Sequence, residues 1–183
     1  MADSGPFSTS AAGELTDGNG RVAGEITIRA VRPDDRERIV RAFHALDRRS
    51  VYLRFFSYRK ELSAEELRQV TECDGVSRGV LVATMGSGNE ETIIALADYA
   101  RTGTATAHIA FAVEEDFQGR GIGSRLLQDL AKMARRNGIL QFEADVLAEN
   151  TRMLNVFRHS GLRMRTSQSE GVVHATLFLT NAA

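Results

Sequence analysis

Gln118-Gly119-Arg120-Gly121-Ile122-Gly123 is the stretch whose reading decides the fold. Three alternate glycines let backbone approach a bound anion closely, because glycine enters left-handed conformations without steric penalty. Upstream lies an apolar strand, 106–113, in which Ile109, Phe111 and Val113 share one face and His108, Ala110 and Ala112 the other. Downstream, Leu126, Leu127, Leu130, Ala131 and Ala134 make the stripe of a helix that stops at Asn137-Gly138. A helix starting at such a loop turns free N–H groups and the positive end of its dipole toward the anion. The pattern predicts a phosphate-bearing ligand.

Which phosphate is bound depends on the surroundings. A Walker loop is excluded, since no Gly-Lys-Ser/Thr follows the glycines. A dinucleotide fold has some support, because strand, glycine loop, helix and next strand are all there and Glu143 and Asp145 follow at roughly the right distance. Against it, Ser124 stands where a third close-packing Gly or Ala belongs, and four polar or aromatic residues, 114–117, separate strand from loop. The unit also comes late in the chain, with little after it for a second nucleotide-binding half.

Bulk composition narrows the class. The 183 residues suit one domain with a proper core, and 43% hydrophobic with 26% charged residues is ordinary for a globular protein. A net charge of −1 argues against a dedicated nucleic-acid binder. The single cysteine, Cys73, rules out an internal disulfide framework and fits a reducing compartment. No apolar run approaches the ~20 residues that span a bilayer, and the N-terminus lacks the pattern of a signal peptide. A cytoplasmic protein bound to neither membrane nor nucleic acid is expected.

Residues 1–24, rich in Gly, Ser, Thr, Ala and Asp, are expected to be a disordered leader, with a domain over 25–183. Within the domain, 26–29 reads as a strand and Pro33-Asp34-Asp35 as a helix start. A second helical piece follows at 51–56, and a third opens at Ser63 with Glu66 as its capping box. Strands are expected at 79–83, 92–100, 106–113 and 140–146, with a closing pair at 163–166 and 172–179. Asn150 or Thr151 caps a helix carrying Met153, Leu154 and Phe157, which ends at Gly161.

The glycine loop resembles the Q/R-x-x-G-x-G/A motif of the GNAT superfamily of N-acetyltransferases. The element order from Ile26 to Leu179 is similar too, as is Asn150-x-x-Met153-x-x-Val156-Phe157-x-x-x-Gly161-Leu162. The resemblance implies an α/β (α+β) fold: a central, mixed, mostly antiparallel sheet of about seven strands, flanked by helices and splayed between its fourth and fifth strands. Ser50-Val51-Tyr52-Leu53-Arg54-Phe55-Phe56-Ser57, followed by Leu62-Ser63-Ala64-Glu65-Glu66-Leu67, resembles more narrowly the GNAT domain of bacterial protein-lysine acetyltransferases. Members of that group inactivate acyl-CoA synthetases, and their domain is often fused to a nucleotide-binding or synthetase-like one.

By this resemblance the co-substrate is acetyl-CoA, with no metal. Backbone N–H groups of Gln118, Gly119, Arg120, Gly121, Ile122, Gly123 and Ser124 would hold its pyrophosphate, and the Arg120 side chain either adds a charge-assisted contact or is a solvated loop arginine. Val113 would offer backbone groups to the pantetheine arm and thioester. Asn150 matches a position near the pantetheine, although a helix cap explains it equally well. Phe157 stands where many relatives carry a tyrosine that protonates the leaving thiolate, and it would pack against cofactor or core. His108 aligns with the glutamate that commonly serves as base, with Glu114 and Glu115 the next candidates. The implied reaction is direct transfer of acetyl to a primary amine in a ternary complex. The acceptor would be a protein lysine, as on an acyl-CoA synthetase, and the enzyme a monomer or homodimer. A small-molecule amine acetyltransferase and a catalytically weak acyl-CoA-binding sensor are the alternatives.

Overall fold

Apolar alternation and well-placed caps account for most elements of the sheet and its helices. The computed structural model describes residues 13–16 and 22–179. Its strands are β1 (Gly13–Thr16), β2 (Val22–Ala30), β3 (Arg78–Met85), β4 (Thr92–Arg101), β5 (Thr106–Val113), β6 (Gln141–Leu147), β7 (Arg163–Ser169) and β8 (Val172–Phe178). Its α-helices are α1 (Arg36–Ala45), α2 (Arg48–Phe55), α3 (Ala64–Thr71), α4 (Ile122–Arg136) and α5 (Thr151–Arg158). The eight strands form one sheet in the order β1-β2-β3-β4-β5-β6-β8-β7. Every neighbouring pair is antiparallel except β5–β6, which is parallel.

The expected α/β architecture and its seven strands are present. The difference is an eighth strand inside the stretch read as a disordered leader: Gly13–Thr16 pairs with β2, which itself begins at Val22. The rest of that stretch, 1–12 and 17–21, lies outside the described residues. A strand so short carries little sequence signal, yet its pairing satisfies backbone groups along the open edge of β2.

Helices pack on both faces of the sheet. On one, the buried stripe Leu126, Leu127, Leu130, Ala131 and Ala134 of α4 meets Tyr99, Ile109 and Phe142, joined by Leu154 and Phe157 of α5. On the other, Ile39 of α1 and Leu67 of α3 pack on Val82 and Ile93. Each such leucine or isoleucine contributes on the order of 1.5–3 kcal/mol by leaving water. Because strands buried on two sides need apolar residues on both, β3 and β4 are nearly continuous apolar runs.

Local chemistry sets the ends of elements. The Ser63 hydroxyl accepts from the Glu66 N–H at 3.2 Å and the Glu66 carboxylate accepts from the Ser63 N–H at 2.8 Å, completing the expected capping box. The second helix starts at Arg48, ahead of the expected 51, because the Asp47 carboxylate accepts from the Ser50 N–H at 2.6 Å. The first closing strand runs three residues longer than expected, to Ser169, since Glu170 and Gly171, both at positive φ, form a two-residue hairpin turn between Ser169 and Val172. No helix of the described residues is long and apolar enough to cross a membrane.

The feature that positions the site is the parallel pair. β5 and β6 are in register only over Thr106–His108 against Gln141–Glu143. Beyond that, β5 stays with β4 and β6 stays with β8, so the two diverge as expected.

Candidate active site

A cleft of about 1030 Å³ opens where β5 and β6 part. Phe111 and Val113 form one wall, Ala144 and Val146 the other, and the glycine loop and the start of α5 close its end. The ladder on the far side of β5 determines what faces the cleft. Thr102 N–H donates to Thr106 and Glu114 N–H to Ile94, at 2.9 and 3.0 Å, so the even-numbered residues of β5 spend their backbone groups on β4. The N–H and C=O groups of Ile109, Phe111 and Val113 therefore point the other way, into the opening.

The glycine loop has the geometry of an anion cradle. Gly119 and Gly121 have φ of +76° and +80°, where side-chain-bearing residues are strained. A Cβ on either would meet no protein atom within 4 Å, so the chain itself leaves the adjacent space open. Gly121 is the N-cap of α4 and supplies no side-chain acceptor. The first helical bond is Arg125 N–H to the Gly121 carbonyl, which leaves the N–H groups of Ile122, Gly123 and Ser124 without helical acceptors. The Ile122 side chain is buried in the core, so only its backbone is on offer.

Gln118 ties the loop to its surroundings. Its amide nitrogen donates to the Val113 carbonyl at 2.8 Å, and its amide oxygen accepts from Arg152 Nη1 in the first turn of α5. The Asn150 side chain caps α5, accepting from the Met153 N–H at 3.2 Å while lining the cleft. Phe157 is 1% exposed and sets its ring edge against Phe111, centroids 6.2 Å apart. Arg120 does not line the cleft; its guanidinium lies 5.6 Å from the centre of the Phe117 ring.

The three carboxylate and imidazole candidates separate. His108 lines the cleft from the face of β5 that carries α2, its side chain 42% exposed. Glu115 also lines the cleft, but its carboxylate accepts from the Asp47 N–H at 3.0 Å and so holds the entry to α2. Glu114 lies in an adjoining, mostly apolar cavity of about 280 Å³ beneath α1 and α3. Burial raises its pKa above the usual carboxylate range, and the nearby charges of Asp116 and Glu115 push the same way.

The sequence assigns no site role to several lining residues. Arg49, Leu53 and Phe56 reach the cleft from α2, and Phe56 ends that helix in the left-handed region at φ 58°. Asp145 of β6 stands 3.7 Å from His108 Nε2 and binds His174 on its other side. Strand alternation marks Asp145 as polar-faced, but its neighbours depend on strand order. Other charges are internally engaged. Arg54 and Arg78 pair with the buried Asp98 at 3.0 and 2.8 Å, Lys132 pairs with Asp129, and Arg135 donates to the Leu179 carbonyl. Among the described residues, no group of three or more His, Cys, Asp and Glu is placed to hold a metal.

A splayed β5–β6 pair facing an uncapped, glycine-led helix defines a class. The acetyltransferase (GNAT) family model matches residues 47–162, and the chain belongs to that family of acetyl-CoA-dependent N-acetyltransferases. It is 35% identical over 136 residues to acetyltransferase Pat of Mycolicibacterium smegmatis, covering 73% of this chain and 40% of that protein. The chain thus spans less than half the length of that relative. It superimposes on the GNAT domain of S. lividans PAT with a TM-score of 0.80 and 34% identity, covering 92% of this chain and 96% of that one. The fold is shared, at 19% identity and a TM-score of 0.67 over 86% of this chain and 96% of the other, with Salmonella typhimurium yncA, solved with its cofactor acetyl-CoA.

Proposed function

We propose that this chain transfers an acetyl group from acetyl-CoA to the side-chain amine of a protein lysine, and that the amine attacks the thioester directly. The observation that carries the donor half is the pairing of an uncapped α4 N-terminus with the outward backbone groups of Phe111 and Val113 across one cleft. Supporting the lysine half are the likeness to Pat and the resemblance of residues 50–57 and 62–67 to protein-lysine acetyltransferases.

In this reading the N–H groups of 119–124 hold the pyrophosphate, with the helix dipole adding to their pull, whereas the Gln118 N–H is already engaged with the Glu115 carbonyl at 3.1 Å. The backbone of Phe111 and Val113 orients the pantetheine arm and the thioester. Bound acetyl-CoA supplies an activated carbonyl on a leaving group that departs readily, since a thiol near pKa 8.5 needs little protonation. Phe157 has no proton to donate and serves as packing. The protein's main task is the acceptor. A lysine near pKa 10.4 is about 10⁻³·⁴ free amine at pH 7, a handicap of roughly 4.6 kcal/mol. His108 takes the ammonium proton, a role open to neutral imidazole at that pH. The amine nitrogen then bonds to the carbonyl carbon, the carbon–sulfur bond breaks to release the CoA thiolate, and the second amine proton is lost to that thiolate or to water as the amide forms.

Glu114 is a second candidate base, favoured by its partial burial and raised pKa. It shares a strand face with His108 but lies six residues away, about 20 Å along the strand, so the two cannot serve one amine. The deciding experiment incubates the protein with acetyl-CoA and a panel of acyl-CoA synthetases, lysine peptides and small amines, following CoA release. Turnover on protein lysines supports the reading. Turnover confined to small amines replaces the acceptor, and tight CoA binding without amine-dependent turnover makes the chain a sensor.

A further inference from the structure

His108 belongs to a chain of polar side chains that crosses four strands on one face of the sheet. Its Nε2 is 3.7 Å from Asp145 Oδ2, and Asp145 Oδ1 is 2.6 Å from His174 Nδ1. His174 Nε2 is in turn 3.1 Å from the Ser169 hydroxyl. The strand order β5-β6-β8-β7 puts these four residues on neighbouring strands, with Asp145 directly opposite His174 in the β6–β8 register and His108 and Ser169 each diagonal to its partner.

Hydrogen-bonding roles follow from the donor inventory. A carboxylate only accepts, so His174 Nδ1 carries the proton of the 2.6 Å contact, and its Nε2, when the ring is neutral, accepts from Ser169. The same rule applies on the other side of Asp145, whose second oxygen faces Nε2 of His108. A contact of 3.7 Å is electrostatic rather than a hydrogen bond, but contacts of this kind commonly tighten when substrate binds.

We propose that Asp145, itself held by His174, is a positioning residue for His108: it keeps the proton of the neutral ring on Nε2 and leaves Nδ1 as the nitrogen that accepts the proton of the acceptor amine. This rests on the reading of His108 as the base. One proton moves from the ammonium to Nδ1, the imidazolium stands beside the Asp145 carboxylate, and the proton then leaves to water. Other charged groups on this side are Glu143 beside Asp145 on β6, Asp98 on β4, and Arg49 and Arg54 on α2. Asp98 is neutralised by Arg54 and Arg78, so Glu143, Asp145 and Arg49 set the local balance around His108.

The test uses Asp145→Asn and His174→Gln, both at half-exposed positions where the fold should hold, with melting curves as the check. Long-range proton–nitrogen correlation spectra of the ¹⁵N-labelled protein read the His108 tautomer without any acceptor. Nε2–H is expected in the native protein, with a mixture in Asp145→Asn. With acetyl-CoA and a lysine peptide, kcat should fall about tenfold or more in Asp145→Asn, as losses of outer-shell partners do, and by less in His174→Gln. The acid-limb midpoint of kcat/KM should move to lower pH in Asp145→Asn, because removing the carboxylate disfavours the imidazolium. An Nδ1–H tautomer in the native protein, or a tautomer and midpoint unmoved by Asp145→Asn, overturns the proposal. Full turnover in His108→Ala removes the base reading instead, and the tautomer measurement still decides whether Asp145 orients the ring.

Discussion

The Gln118 side-chain amide donates to the Val113 carbonyl at 2.8 Å, joining the glycine loop to the last residue of the strand that precedes it. The same side chain reaches Arg152 of α5, so one residue holds three parts of the cleft at fixed spacing. Gln118→Ala removes these bonds without touching the reacting atoms. A bond worth about 1 kcal/mol predicts a roughly fivefold rise in KM for acetyl-CoA with kcat little changed. Steady-state kinetics at varied acetyl-CoA checks this, and a fall in kcat at constant KM would speak against a role in binding.

Gly121→Val puts a β-branched residue at φ +80°, at a strain of about 1–2 kcal/mol, and places methyl groups where the first-turn N–H groups need room. CoA binding by calorimetry should disappear while the melting temperature drops by only a few degrees. Retained binding would undo the assignment of the loop.

His108→Ala should lower kcat 10²–10⁴-fold with the CoA dissociation constant unchanged, the usual range for loss of a general base. Glu114→Gln should leave kcat within a few-fold. Glu115→Ala should act chiefly on stability, because it removes the acceptor that holds the Asp47 N–H. The reverse pattern, with Glu114→Gln inactive and His108→Ala active, moves the base to the adjoining cavity.

Arg59 grips Glu66 through two parallel hydrogen bonds and holds its carboxyl down to about pKa 2, from an ordinary value of 4.5. A depressed folded-state pKa gives stability that is complete above the unfolded value. That stability is lost as pH falls from about 4.5 toward about 2. The pair is partly open to water, and screening leaves about 1 kcal/mol of it. Denaturant titrations of Glu66→Gln and the native protein should differ by that much at pH 7 and converge near pH 2. A constant difference across that window would show that charge is not involved.

Phe157→Ala empties a buried ring site against Phe111 and should cost about 3–5 kcal/mol in urea unfolding. Phe157→Leu, which keeps most of the volume, should cost much less. If both cost little, Phe157 does not belong to the shared core.

Much of this was legible along the chain. The Gly119/Gly121 spacing, the alternation of β5 and the Ser63–Glu66 box are local signals, and each produced the element it predicts. The strand at Gly13–Thr16 was not legible, because its pairing with β2 rather than its composition makes it a strand. Arg120 and Glu115 show the same limit at the site. As sequence they are a free cation and a free carboxylate beside the loop, whereas in the fold one rests on Phe117 and the other holds Asp47.

The amino-acid sequence by itself determined the order of elements, the glycine cradle and the family, since turn geometry, capping and periodicity act among residues a few positions apart. Only the tertiary structure decided where β5 and β6 part, which backbone groups face the opening, and that Asp145 stands between His108 and His174. Those facts depend on strand order and register, which arise when distant segments bury their apolar faces together, and no local pattern encodes them.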